Sequence, residues 1–152
     1  MENRSVNYNT LTKQAIALID GETDRIANMS NISALLSMEL AEINWVGFYL
    51  LKGDELVLGP FQGKPACVRI PVGKGVCGTA MATLTVQRVE DVHAFEGHIA
   101  CDAVSNSEIV IPLMIDGKPF GVLDIDSPIL SRFSQYDEEG LVTLVGELQK
   151  RL

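Results

Sequence analysis

The sequence predicts an α/β domain of the α+β type, in which helices pack against a mainly antiparallel sheet. Apolar residues recur at helical spacing near both ends of the chain, while the middle alternates short apolar runs with turn residues. Two turns, at 52–54 and 116–117, join adjacent apolar runs in the manner of β-hairpins. We expect residues 1–152 to form a single domain, because this length is usual for one compact unit.

Two helices are predicted at the N-terminal end. The first is capped at residue 9 or 10 and continues, or restarts after Gly21, to about residue 29. The second is capped by Ser30 or Asn31 and carries a broad apolar stripe to Leu40. A last helix starts at residue 134 or 137 and ends at about residue 150. These segments would cover the sheet.

The strands are predicted from short apolar runs bounded by glycine, proline and polar residues. They are residues 45–51, 55–60, 66–70, 86–89, 108–115 and 118–126. A short helix is predicted over residues 79–84. Residues 91–107 form a long irregular stretch, and a loop of this length inside a compact domain is usually functional.

The charge of the chain excludes some partners. Its formal net charge is −8 and its isoelectric point is about 4.7. An acidic surface repels phosphate backbones and anionic lipid, so we expect no nucleic acid and no membrane as partners. The polar N-terminus lacks the apolar core of a targeting signal, and we therefore expect a cytoplasmic protein whose thiols are kept reduced.

Three cysteines are too few for a disulfide framework, and each is a core residue, a metal ligand or a redox group. A single buried cysteine is more often core than catalytic. Cys101, however, lies in the irregular loop, and Cys77 lies among glycines immediately before the predicted short helix, whose dipole would stabilise a thiolate. Cys67 lies near the start of a short strand. The absence of a CxxC spacing argues against a structural zinc site, and no metal is expected.

Acidic and aromatic residues share faces of the predicted strands. Asp124 and Asp126 are two positions apart and therefore point to one side of their strand. Glu108 opens the neighbouring strand and could face the same pocket. Trp45 and Tyr49 are likewise on one face. A solvent-exposed strand end would explain the aspartates equally well, and a shared core would explain the aromatic pair.

Six motifs together resemble one protein family. They are residues 44–49 (NWVGFY), 58–67 (LGPFQGKPAC), 73–80 (GKGVCGTA), 98–102 (HIACD), 107–110 (SEIV) and 121–127 (GVLDIDS). These motifs cover nearly the whole chain, which is similar to the free methionine-(R)-sulfoxide reductases, enzymes built on a GAF domain. The resemblance implies a six-stranded antiparallel sheet flanked by helices, and a homodimer.

The resemblance also implies a role for each cysteine. Cys101 matches the nucleophile, Cys67 the main resolving cysteine and Cys77 a second one. The residues that match the substrate pocket are Trp45, Tyr49, Glu108, Asp124 and Asp126. The implied reaction reduces free L-methionine (R)-S-oxide to L-methionine through a cysteine sulfenic acid and an intramolecular disulfide. No bound cofactor is expected, and thioredoxin, with NADPH and thioredoxin reductase, would be the reductant.

Two other interpretations remain open. The chain could be a non-catalytic GAF sensor for a small ligand such as a cyclic nucleotide, although an acidic pocket suits a phosphate ester badly. It could also be a structural or interaction domain whose cysteines belong to the core. Reactivity of Cys101 toward alkylating reagents distinguishes the last interpretation from the other two.

Overall fold

The computed structural model describes residues 6–99, 101 and 104–152, so that residues 100 and 102 of the 98–102 motif lie outside the described residues. The helices are α1 (Tyr8–Ile19), α2 (Arg25–Glu39), α3 (Gly75–Thr83) and α4 (Gln135–Gln149). The strands are β1 (Trp45–Lys52), β2 (Glu55–Gly63), β3 (Arg69–Pro71), β4 (Gln87–Val89), β5 (Ser107–Ile115) and β6 (Lys118–Ser127). Within the described ranges, no helix has the length and apolar character needed to cross a membrane.

The strands form one six-stranded sheet in the order β3-β2-β1-β6-β5-β4, and every neighbouring pair is antiparallel. The predicted α+β class and mainly antiparallel sheet are therefore confirmed. The hairpin between β5 and β6 turns at Asp116 and Gly117, whose φ angles of 53° and 74° are both positive. Such a two-residue turn matches the twist of the strands it joins.

The sheet has a different covering on each face, because successive side chains of a strand point to opposite sides. Val46 and Phe48 pack on the side of α1, α2 and α4, in the larger apolar cluster. Trp45 and Tyr49 pack on the side of α3, together with Val110. The second face also carries the cavity described below, so the strand alternation separates the main core from the candidate site.

Three predicted boundaries are wrong. A helix break falls at 20–24, where the predicted restart after Gly21 allowed for one, but no second helix is capped at Ser30 or Asn31. The side chain of Asp24 caps α2 instead, by accepting a hydrogen bond from the backbone N–H of Ala27. The strand predicted over 66–70 is instead β3, which begins at Arg69. The short helix α3 begins at Gly75, four residues before the predicted start at residue 79.

Candidate active site

A narrow cavity lies between the second face of the sheet and α3, and His98, Ile99, Cys101 and Ser105 line one side of it. Its lining includes all five residues that match the substrate pocket, together with Cys77 and Cys101. The further lining residues are Pro65, Ala66, Ile70, Gly75, Val76, His98, Ile99 and Ser105. None of these described lining residues is a lysine or an arginine.

Three carboxyl groups meet in this cavity. Glu108 of β5 is paired with Asp126 of β6, and Asp124 follows on the same face of β6. Glu108 and Asp124 are buried, with 7% and 5% of their surfaces exposed. Burial raises the pKa of Glu108, and the nearby Asp124 and Asp126 carboxylates raise it further. Burial also raises the pKa of Asp124. The aspartates therefore face the cavity and not the solvent.

Cys77 lies inside the first turn of α3, and not in front of the helix as the sequence predicted. The residue is 4% exposed, and its thiol donates a hydrogen bond to Glu108 Oε2 at 3.9 Å. Burial raises the pKa of this thiol, and the Asp124 and Glu108 carboxylates raise it further. The expectation that the helix dipole stabilises a Cys77 thiolate is therefore wrong, because desolvation and like charge outweigh the dipole.

Cys67 and Cys101 form a disulfide, with a Cα–Cα distance of 5.4 Å and a sequence separation of 34 residues. Cys67 lies in the segment between β2 and β3, and Cys101 belongs to loop 91–107. Both cysteines are partly exposed, in contrast to the buried Cys77. The bond thus ties the loop to the β2–β3 segment at the rim of the cavity.

The two aromatic residues also hold the segment that carries Cys67. The indole Nε1 of Trp45 donates to the carbonyl of Lys64 at 3.1 Å, and the hydroxyl of Tyr49 donates to the carbonyl of Cys67 at 2.8 Å. Their rings stack with centroids 5.9 Å apart. From the sequence, this pair was expected either to line the pocket or to belong to the core. Its hydrogen bonds to the segment that carries Cys67 are long-range contacts, which no local sequence pattern reveals.

Two further features of the cavity were not predicted from the sequence. Ser105 is buried at the cavity and accepts a hydrogen bond from the side-chain amide of Asn44 at 3.0 Å. Separately, Cys77, Glu108 and Asp124 each present a ligand atom, and these atoms all lie within 4.8 Å of one another. The sequence placed Glu108 and Asp124 near one pocket, but the position of Cys77 beside them depends on how α3 packs against the sheet.

The sequence profile of the GAF domain family matches residues 24–151. Over 150 residues, the chain is 59% identical to a protein named free methionine-R-sulfoxide reductase from Escherichia coli, and the alignment covers 99% of this chain and 91% of that protein. The fRMsr of Staphylococcus aureus in its reduced form superposes with a TM-score of 0.96 at 57% identity, covering 100% of this chain and 99% of that chain.

A second structure of the S. aureus fRMsr, in complex with its substrate, superposes with a TM-score of 0.94 at 56% identity, covering 100% of this chain and 99% of that chain. Each of these three similarities covers 99% or more of this chain. The six-stranded antiparallel sheet flanked by helices is the fold that the family resemblance implied. The chain belongs to the free methionine-R-sulfoxide reductases, a family of GAF-domain oxidoreductases.

Proposed function

We propose that this chain reduces free methionine (R)-sulfoxide to methionine, with Cys101 as the nucleophile and Cys67 as the resolving cysteine. The observation that carries the proposal is the Cys67–Cys101 disulfide at the rim of an acidic cavity. A disulfide between two partly exposed cysteines is the state in which such a reductase ends each turnover. The name of the E. coli relative supports the choice of substrate.

The cavity suits the ammonium, carboxylate and methyl groups of the free amino acid. The carboxyl groups of Glu108, Asp124 and Asp126 provide a site for the ammonium group, and no lysine or arginine among the described lining residues competes with it. The backbone N–H groups at the start of α3, where Gly75 lines the cavity, suit the substrate carboxylate. Trp45 offers an apolar wall for the methyl group. A peptide-bound methionine sulfoxide lacks the free ammonium and carboxylate groups and would lose both contacts.

The chemical step transfers two electrons from two thiols to the sulfoxide. The Cys101 thiolate attacks the sulfoxide sulfur while a carboxylic acid of the trio protonates the oxygen, and methionine leaves as Cys101 becomes a sulfenic acid. The Cys67 thiol then attacks the sulfenic sulfur, a disulfide forms and water leaves. Three carboxyl groups crowded in one buried cavity repel each other when ionised, which favours the protonated acid that this step requires.

Thioredoxin regenerates the enzyme in this proposal by thiol–disulfide exchange, with NADPH and thioredoxin reductase supplying the electrons. The partial exposure of both Cys67 and Cys101 supports this step, because an incoming thiolate must reach one of the two sulfur atoms. Cys77 is too deeply buried for direct exchange with a protein thiol.

A coupled assay tests the proposal. Thioredoxin, thioredoxin reductase and NADPH are supplied, and the R and S epimers of free methionine sulfoxide are added separately. We expect NADPH consumption with the R epimer only, and none with Cys101→Ser. An inactive wild-type chain with the free R epimer would contradict the enzymatic function and favour a ligand-binding sensor.

The cysteine roles are tested in the same coupled assay by the amount of methionine that each variant releases. Cys67→Ser should release a single equivalent of methionine per chain and then stop, because the sulfenic acid on Cys101 has lost its partner. Sustained turnover at the full rate in Cys67→Ser would instead assign the resolving role to Cys77.

A further inference from the structure

The cluster formed by Cys77, Glu108 and Asp124 lies at the base of the cavity, and its three residues are buried with 4%, 7% and 5% exposure. One thiol sulfur and two carboxylate oxygens lie within 4.8 Å of one another. We infer that this cluster is a binding site for a divalent cation of borderline softness, Zn²⁺ above all, when no substrate fills the cavity. The cluster is separate from the disulfide.

An independent observation points to a missing ligand. The side chain of Asp124 interacts with Cys77, Glu108 and Asp126, but its buried Oδ1 atom receives no hydrogen bond from any residue that the structure describes. Leaving a polar oxygen buried without a donor or a cation is costly, and a bound ion or water is one way in which folded proteins satisfy such an atom. Because Asp124 lines the cavity beside the Cys77 thiol, a cation bound there would satisfy this oxygen.

The spacing of the cluster is close to what zinc requires. Zn–S bonds of about 2.3 Å and Zn–O bonds of about 2.1 Å at a tetrahedral angle place sulfur and oxygen about 3.6 Å apart. The Cys77 Sγ to Glu108 Oε2 distance is 3.9 Å and the other pairs lie within 4.8 Å, so the side chains must approach one another by up to about 1 Å to bind the ion. Three protein ligands leave the fourth position for water, as in catalytic zinc sites.

The ligand set also selects the metal. A thiolate prefers Zn²⁺ over Mg²⁺ or Ca²⁺, which favour oxygen ligands in larger numbers. Binding releases the Cys77 thiol proton to solvent, and the positive charge of the ion relieves the repulsion between Glu108 and Asp124. If the proposed function is correct, a bound ion would occupy the position of the substrate ammonium group and block the cavity.

The disulfide form of the protein offers a direct test. The chain has three cysteines, and Cys77 is the free one when Cys67 and Cys101 are joined. Co²⁺ is titrated into this form, and the absorption band of a cobalt–thiolate bond is followed. We expect a band that saturates at one Co²⁺ per chain and disappears when Zn²⁺ is added. No turnover is involved, so the outcome does not depend on the proposed reaction.

Three variants sharpen the test. Cys77→Ser should lose the band, and Asp124→Asn should weaken Co²⁺ binding by more than roughly 10- to 100-fold, the loss that changes outside the ligand shell already cause. Asp116→Asn, which removes an exposed carboxylate in the β5–β6 turn, is the matched control and should bind as the wild type does. Absence of the band in the wild type, or unchanged affinity in Asp124→Asn, would overturn the inference. Binding without a thiolate band would do the same, and would point to His93 and His98, whose rings lie 6.3 Å apart.

Discussion

The Cys67–Cys101 disulfide should stabilise the fold by an amount that its position in the chain determines. The bond joins residues 34 positions apart. In the chain-entropy treatment, closing a loop of this length removes about 12.6 cal/mol/K from the unfolded chain, which corresponds to about 3.8 kcal/mol at 25 °C. A chain of 152 residues changes its Tm by about 2–4 °C per kcal/mol, so the disulfide form should unfold about 8–15 °C above the reduced form.

Thermal unfolding followed by far-ultraviolet circular dichroism, with and without a reductant, measures this difference. Cys67→Ser should abolish the difference, because the variant cannot form the bond, whereas Cys77→Ser should retain it in full. The two variants each remove one sulfur and differ in which pairing they permit. A difference that survives in Cys67→Ser and vanishes in Cys77→Ser would refute the assigned pairing and would show that Cys101 pairs with Cys77.

Three further predictions concern the carboxylates, the helix contacts and the buried tyrosines. Glu108→Gln should lower kcat/KM for free methionine (R)-sulfoxide by roughly 100-fold or more in the coupled assay, as expected for loss of an acid that acts in the chemical step. Gly140→Ala should lower the free energy of unfolding in urea by about 1–3 kcal/mol, because the new Cβ would overlap the buried Tyr8 ring. Gly146→Ala in the same helix, whose Cβ would meet nothing within 4 Å, should instead raise that free energy by about 0.5–1 kcal/mol. Burial raises the pKa of Tyr8 and Tyr49 above the usual 10.0. Above that pH the unfolded chain binds fewer protons than the folded one, so each tyrosine should reduce stability by about 1.4 kcal/mol per pH unit. Tyr8→Phe should reduce the slope in urea titrations above pH 10 by about 1.4 kcal/mol per pH unit.

The features that the sequence predicted well are those set by local chemistry. The turn at Asp116 and Gly117 needs residues that tolerate positive φ, and the side-chain alternation of a strand places Asp124 and Asp126 on one face. The register of β5 against β6 then brings Glu108 opposite Asp126. Each of these three results follows from two residues or from one hairpin, and none of them depends on the rest of the fold.

The start of α3 was not predicted correctly, because it depends on tertiary packing. Glycines are poor helix formers, and the run 73–78 therefore predicted a loop that ended in front of a helix. In the structure Gly75 has a φ of 65° at the first helical position, and a Cβ on Gly78 would lie 2.5 Å from the carbonyl oxygen of Pro71. The backbone of residues 71–73 packs so closely against α3 that position 78 requires glycine. This tertiary requirement outweighs helix propensity. Cys77 is consequently buried where the local pattern indicated an accessible thiolate.

The carboxyl groups and the two disulfide cysteines of the cavity lie on different kinds of backbone. The carboxylates stand on β5 and β6 in the middle of the sheet, where cross-strand pairing fixes their positions. Cys67 and Cys101 instead stand on connecting segments at the rim. Groups that must recognise one small substrate gain from rigid strands, which hold side chains more precisely than loops do.

A redox pair has the opposite requirement. In the proposed cycle, Cys101 must reach the substrate sulfur first and the Cys67 sulfur afterwards, so its backbone has to permit two positions. Strands β5 and β6 could not supply this freedom without moving the carboxylates as well. A cysteine on the sheet itself would therefore be a poor nucleophile for this cycle, and the third thiol, that of Cys77, is anchored on α3 against Glu108. Its fixed position suits a ligand site better than a reaction in which the sulfur must change partners.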